Sequence, residues 1–208
     1  MMEYDADQYK RPVGNEGRRV IEHMNDHHRD VTEWGLSNIP DMSPRSILDI
    51  VCGGGMCLSL LGKRFQNASL TGVDISEESV NAARSYNSDL VGSGRLEVLE
   101  ASVSELPFKE GAFDLITAVE TYFFWPDLKN DIAKVSELLS EEGVLLIVSE
   151  TSIREDNREA VDAMNEKYGS KVIDDDLILS YMEAAGLNAS VFKGPKKTWA
   201  AYLGTRII

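Results

Sequence analysis

From residue 45 onward the chain alternates between two hydrophobic periods. Short, nearly continuous apolar runs at 46–51, 69–73, 96–99, 113–119 and 143–149 are bounded by Gly or Asp, the pattern of strands buried on both faces. Between them lie stretches with apolar residues at helical spacing. Ser76 stands ahead of one, with Glu77 and Glu78 in its first turn, where the positive end of the helix dipole favours acids. Asp127 heads a second, in which Leu128, Ile132, Val135 and Leu139 share a face. Asp174, Asp175 and Asp176 start a third, which carries Leu177, Tyr181 and Ala184 and stops at Gly186. Strand and helix in alternation predict a parallel sheet covered on both faces. The end of the chain differs: 187–193 and 198–206 are strand-like runs joined by Gly194-Pro195, close enough for an antiparallel hairpin. Residues 1–44 contain no strand pattern and predict a helical lead-in, with Val20, Met24, Val31 and Trp34 among many charges. No linker or internal repeat divides the chain.

At 208 residues and 43% hydrophobic content, the chain suits one domain with a real core. The balance of 35 acidic against 21 basic residues, a net charge of −14, disfavours a nucleic-acid partner, which requires clustered Lys and Arg. The acid-free end carrying Lys193, Lys196, Lys197 and Arg206 reads as solvated surface, with help in holding an anionic substrate as the alternative. No apolar run is long enough to span a membrane, and the first ten residues lack a leader pattern. Cys52 and Cys57 have neither redox nor zinc spacing, so a reduced, cytoplasmic protein is expected.

The strongest local signal is Ile47-Leu48-Asp49-Ile50-Val51-Cys52-Gly53-Gly54-Gly55, an apolar strand running into three glycines and then a helix at 56–65. Glycines permit sharp reversal and close approach of a ligand to the main chain. About twenty residues on, the second strand ends in Asp74, where such folds accept hydrogen bonds from ribose hydroxyls. The same carboxylate could instead cap the next helix. A dinucleotide fingerprint needs a third glycine where Leu58 stands, and the Gly-Lys-Ser/Thr of a P-loop is absent. An adenosine ligand without a diphosphate fits better.

At this point the chain resembles the class I S-adenosylmethionine-dependent methyltransferases. The resemblance rests on Leu48 through Gly55, on Gly72-Val73-Asp74-Ile75-Ser76 with Ser79-Val80-Asn81-Ala82-Ala83-Arg84, on Leu106-Pro107-Phe108, on Phe113-Asp114-Leu115-Ile116 with Glu120 after it, and on the segment 138–148. It implies an α/β, Rossmann-like three-layer sandwich. The mostly parallel seven-stranded sheet would end in an antiparallel hairpin, behind a helical N-terminal lead-in. It also implies one domain over 1–208: a helical lid at 1–44, a cofactor-binding core at 45–150, a capping insertion at 151–173, and a helix plus hairpin at 174–208. The implied cofactor is S-adenosylmethionine, the product S-adenosylhomocysteine, and the partner an unidentified small-molecule acceptor. In this resemblance Gly53 and Gly55 pass under the methionine part, Asp49 orients its ammonium and Asp74 holds the ribose. Ile75 covers adenine, Ser102 and Val103 meet its edge, and Val119 and Glu120 lie beneath the sulfonium. Val51 stands where the family has glycine, Ser102 where it commonly has Asp, and Phe124 where quinone-type relatives carry His.

A sulfonium methyl is already activated, so the protein's main task is alignment. The aromatic run Tyr122-Phe123-Phe124-Trp125 after the fourth strand suggests a wall against a flat or apolar acceptor, with Phe123 and Trp125 the two that would pack beneath the next helix. Tyr122 is the residue expected to face the acceptor, as an orienting or deprotonating group. His23 and His27 would share a helix face, a metal-like spacing, but no third ligand is evident and no metal is expected. His28 is expected to point into the site from the lid as a general base. The rival readings are a non-catalytic binding module and a nicotinamide-dependent oxidoreductase; Leu58 and the hairpin argue against the latter.

Overall fold

The computed structural model describes residues 5–206. Residues 1–4, part of the stretch from which the absence of a leader was read, lie outside the described residues. Helices α1 (Ala6–Lys10), α2 (Gly14–His27) and α3 (Arg29–Leu36) precede β1 (Ser46–Ile50). There follow α4 (Met56–Arg64), β2 (Ser69–Asp74), α5 (Glu77–Tyr86), α6 (Ser88–Gly92), β3 (Leu96–Glu100), β4 (Phe113–Val119), α7 (Leu128–Glu137) and β5 (Leu139–Ser149). Then come α8 (Arg158–Tyr168), α9 (Asp175–Ala184), β6 (Leu187–Lys193) and β7 (Ala200–Arg206). The strands form one seven-stranded sheet in the order β3-β2-β1-β4-β5-β7-β6. Strands β1 to β5 pair in parallel, and β7 runs antiparallel to both β5 and β6. The order reverses at β1, between β2 and β4, which opens a crevice at the carboxyl ends of these strands.

Alternation along each strand supplies both faces of the sheet. Ile47, Leu70, Leu115 and Leu146 pack with Val31 and Leu36 of α3, Leu58 and Leu61 of α4, and Val80 and Ala83 of α5. Leu48, Ile50, Ile116 and Leu145 face the other way, onto Ile132 and Val135 of α7 and Ile178 and Met182 of α9. The three layers and the terminal hairpin follow the sequence reading.

Two local expectations change. Leu139 does not continue a helix. α7 stops at Glu137, and Leu139 opposes Phe113 in the sheet before a bulge shifts the register to Leu115 against Val144. Its burial is the same in either role, so helical spacing alone could not separate them. Asp174 heads α9 as the sequence reading has it, with its side chain paired to Arg158 at 2.6 Å. Residues 1–44 are not one lid. α3 belongs to the core, and Gly35 lies so close to β5 that an added Cβ would come within 2.5 Å of Val148. α1 and α2 do roof the crevice: Asn25 Nδ2 donates to the Gly54 carbonyl at 3.3 Å, and Tyr9 meets Tyr168 of α8 edge to face at 5.4 Å. α8 lies within the 151–173 insertion and packs its Val161 with Ile153 and Val172.

Candidate active site

The glycine turn is built from alternating hands. Val51, Gly53 and Gly55 all have positive φ, at 55°, 51° and 79°. Val51 keeps the left-handed shape natural to glycine, at a cost of about 1–2 kcal/mol for its Cβ. The two glycines serve different ends. A Cβ on Gly53 would meet nothing within 4 Å, and Gly53 lines the crevice. A Cβ on Gly55 would lie 2.6 Å from Asn87 and 2.8 Å from the Ala83 backbone, so Gly55 is the seat of α5 rather than part of the cavity wall.

Asp74 holds this turn in place. Its two oxygens accept from the Gly53 amide at 3.0 Å and the Ser76 amide at 2.9 Å. Ser76 in turn caps α5 through Ser79 and donates to the Pro12 carbonyl at 2.6 Å, which ties the N-terminal segment over this end of the crevice. Asp74 is 2% exposed, and burial raises its pKa against the pull of the backbone amides.

The crevice encloses about 370 Å³, within the usual size of ligand sites. Asp49, Gly53, Asp74, Val119, Glu120 and His28 all line it. Asp49 is 2% exposed, accepts from Thr117 Oγ1 at 2.6 Å, and is pushed up to about 7 by burial. Glu120 has a left-handed φ of 58°. Its carboxylate accepts from the Glu150 amide, and burial pushes it up to about 8. Burial likewise lowers His28 to about 4, with the neighbouring His27 and His23 adding to the effect. Thr121 Oγ1 is buried beside the cavity without a hydrogen-bond partner among the described residues. The carboxyl groups of Asp49, Asp74 and Glu120 in a small, mostly apolar crevice and an orphaned hydroxyl suit a cationic ligand with polar edges.

Other expected site residues lie elsewhere. Tyr122 does not face the cavity. It is 1% exposed, its ring edge-on to Phe123 and Tyr202 in the core, and burial raises its pKa beyond use as a base. A turn of 3-10 helix over Tyr122–Phe124 rotates Phe123 and Phe124 onto the cavity instead, while Trp125 is buried. Tyr122→Phe should therefore leave catalytic turnover within about twofold of wild type; a loss of about 100-fold or more, the usual range for a lost general base, would restore its expected role. Ile75, Ser102 and Val103 stand by the ends of β2 and β3 but do not line the cavity. Val103 is buried in the core, and the Ser102 hydroxyl accepts from the Ser104 amide at 3.2 Å. The C-terminal cations are engaged on the surface: Lys193 with Asp175, Lys197 with Asp156, and Lys196 over the Trp199 ring. They do not border the crevice, so the anionic-substrate alternative falls. Asn25 and Glu150 are among the wall residues that sequence reasoning missed. Glu150 directly follows a strand tip, the one local signal that could have marked it.

A family model described as a methyltransferase domain matches residues 47–143. The match runs from β1 into β5, a little under half of the chain. Among relatives of this chain, phthiotriol/phenolphthiotriol dimycocerosates methyltransferase 1 of Mycobacterium ulcerans (strain Agy99) is 28% identical over 125 residues, 60% of this chain and 42% of that protein. The chain spans less than half the length of the curated relatives it matches. Among solved folds, the putative methyltransferase in complex with the Haloferax volcanii Trm112 methyltransferase activator superposes with a TM-score of 0.80 at 16% identity, over 100% of both chains. Geranyl diphosphate C-methyltransferase from Streptomyces coelicolor A3(2), solved with Mg2+, geranyl-S-thiolodiphosphate and S-adenosyl-L-homocysteine, gives a TM-score of 0.76 at 14% identity over 86% of this chain and 76% of that one. No helix among the described residues is long and apolar enough to cross a membrane.

Proposed function

We propose that this methyltransferase binds S-adenosylmethionine across the tips of β1, β2 and β4 and transfers its methyl group to an apolar small-molecule acceptor. The observation that carries the reading is Asp74: a buried acid at the β2 tip, hydrogen-bonded to the glycine turn, opens into one cavity with Asp49 and Glu120. Bound there, the cofactor supplies a methyl group on a sulfonium already activated toward displacement. Asp74 retains lone pairs for the ribose hydroxyls, and Gly53 offers a bare backbone for close approach. Asp49 supplies the charge opposite an ammonium group. Val119 and Glu120, at the end of β4, lie beneath the reacting centre. Phe123, Phe124, Met24 and Met164 form apolar walls that exclude water and orient the acceptor, which supplies roughly 7–11 kcal/mol of barrier lowering when alignment is good. His28 borders the cavity as a neutral imidazole able to accept a proton from an acceptor that carries one. The relatives named for dimycocerosates and for fatty-acid O-methylation support an apolar acceptor. A cytoplasmic setting is part of the proposal, supported by the two free, buried cysteines.

The test is methyl transfer from radiolabelled cofactor to a panel of long-chain acids, isoprenoids, phenols and amines, with S-adenosylhomocysteine titrated in parallel. Product on an apolar acceptor is expected. Cofactor binding without transfer to any of them would leave a binding module, and no binding at all would end the proposal.

Asp49 adds a pH signature. Its pKa rises from 3.8 to about 7 on folding, so the folded state holds a proton that the unfolded chain gives up. This stabilisation is complete below about pH 4 and is lost as pH rises through about 7. Asp49→Asn cannot ionise, so the melting temperature of wild type should fall relative to the variant between pH 5 and 8. The gap should narrow when S-adenosylmethionine is present. A constant difference across that range would remove Asp49 as a titrating group.

A further inference from the structure

Three side chains lining the cavity come from two parts of the chain far apart in sequence. α2 ends at His27, and His28 breaks the helix with φ −91° and ψ 5° before α3 begins. The break brings two consecutive histidines together, their rings edge to face with centroids 5.0 Å apart. β5 ends at Ser149 and delivers Glu150 to the same place. His27 Nε2 lies 3.4 Å from Glu150 Oε2, and one ligand atom from each of His27, His28 and Glu150 falls within 4.8 Å of the others. His23, one turn earlier, stacks on the His27 ring at 5.7 Å and is outside this set. The paired spacing visible in the sequence is therefore not the one the fold uses.

From this geometry we propose that His27, His28 and Glu150 bind one divalent transition-metal ion of the zinc class, joining the α2 lid to the β5 tip. Two imidazoles and one carboxylate are a donor set that holds zinc while leaving a coordination position open, and imidazole ligands select such ions over magnesium or calcium. With bonds of about 2.0–2.2 Å, ligand atoms around a tetrahedral ion stand about 3.4 Å apart. Closing the present spacing needs shifts of about 1 Å, within reach of side-chain rotation at the exposed His27. Glu150 is already oriented by its surroundings: Trp199 Nε1 donates to its other oxygen at 3.4 Å, and its amide donates to the Glu120 carboxylate. Such outer contacts are what set ligands for a metal. A simple His27–Glu150 ion pair accounts for one contact of the three and requires nothing of His28. All three residues line the cavity, so an open position on the ion would be within reach of an acceptor oxygen. With the ion bound, His28 is a ligand and no longer a proton acceptor.

The site takes its place beside the acceptor from the methyltransferase reading, but ion binding is measured without cofactor. Tag-free protein, treated with chelator and dialysed, is titrated with zinc chloride by calorimetry and with cobalt chloride by visible absorption. One equivalent of zinc and a tetrahedral cobalt spectrum are expected. His27→Ala and Glu150→Gln should each weaken zinc binding at least tenfold, whereas His23→Ala should change it by less than about twofold. S-adenosylhomocysteine affinity and thermal melting of the same preparations show that each variant is folded. If wild type takes up no stoichiometric zinc, or if both ligand variants bind it as wild type does, the site does not exist. Zinc binding that survives while S-adenosylhomocysteine fails to bind would sink the cofactor reading and leave the metal site standing.

Discussion

Asp74→Ala should lower thermal stability and remove measurable affinity for S-adenosylhomocysteine in the same protein. The carboxylate is buried and accepts from two backbone amides, those of Gly53 and Ser76. Deleting it strands both donors away from water, at about 1–3 kcal/mol each. For a domain of this size that corresponds to a fall in melting temperature of about 5–20 °C. The ribose loses its acceptor as well, and hydrogen bonds to a charged group are each worth about 1.5–3 kcal/mol. The dissociation constant should rise at least about 100-fold. Asp74→Asn retains one acceptor oxygen but turns an NH2 toward a backbone N–H, so it should melt between the two and still bind weakly. Calorimetric titration decides the matter: a folded Asp74→Ala protein that binds S-adenosylhomocysteine within tenfold of wild type would refute the placement of the cofactor.

The second large effect separates two glycines that look equivalent in sequence. Gly55→Ala puts a methyl 2.8 Å from the backbone of Ala83, which cannot swing aside as a side chain can. It also crowds Asn87, whose amide donates to the Gly55 carbonyl at 2.8 Å. Overpacking of about 1–3 kcal/mol adds to about 1–2 kcal/mol for a left-handed alanine. A loss of about 2–5 kcal/mol in denaturant unfolding is expected. Gly53→Ala carries only the backbone penalty, because its Cβ would meet no protein atom. It intrudes instead on the face where the cofactor backbone would lie. Gly53→Ala should stay within about 2 kcal/mol of wild type yet weaken S-adenosylhomocysteine at least tenfold. Equal stability losses at the two positions, or unchanged affinity in Gly53→Ala, would contradict this division of roles.

Much of the architecture was legible because it is written in local patterns. Five apolar runs with helices between them leave few ways to bury both faces of a sheet. Asp74 could be placed because strand β2 ends where the glycine turn of β1 begins, and neighbouring parallel strands bring their tips together. Val51 departs from the family's glycine, and its backbone nonetheless keeps a left-handed φ. Reading failed where direction, not residue type, decided the outcome. Four successive aromatics have no period from which to choose a face, and a single turn of 3-10 helix buried Tyr122 while exposing Phe123 and Phe124 to the cavity. Leu139 failed for a related reason, since an apolar residue at a helix–strand junction satisfies both patterns.

Determined by the sequence alone were the parallel α/β sheet with its closing hairpin, the glycine turn and the acid at the second strand tip. Each follows from hydrophobic period or turn chemistry among residues close in the chain. Decided only by the tertiary structure were the split of residues 1–44 between core and roof, the separate duties of Gly53 and Gly55, and the meeting of His27 and His28 with Glu150. These depend on where packing turns a side chain after elements distant in sequence have docked, and no local pattern encodes that direction.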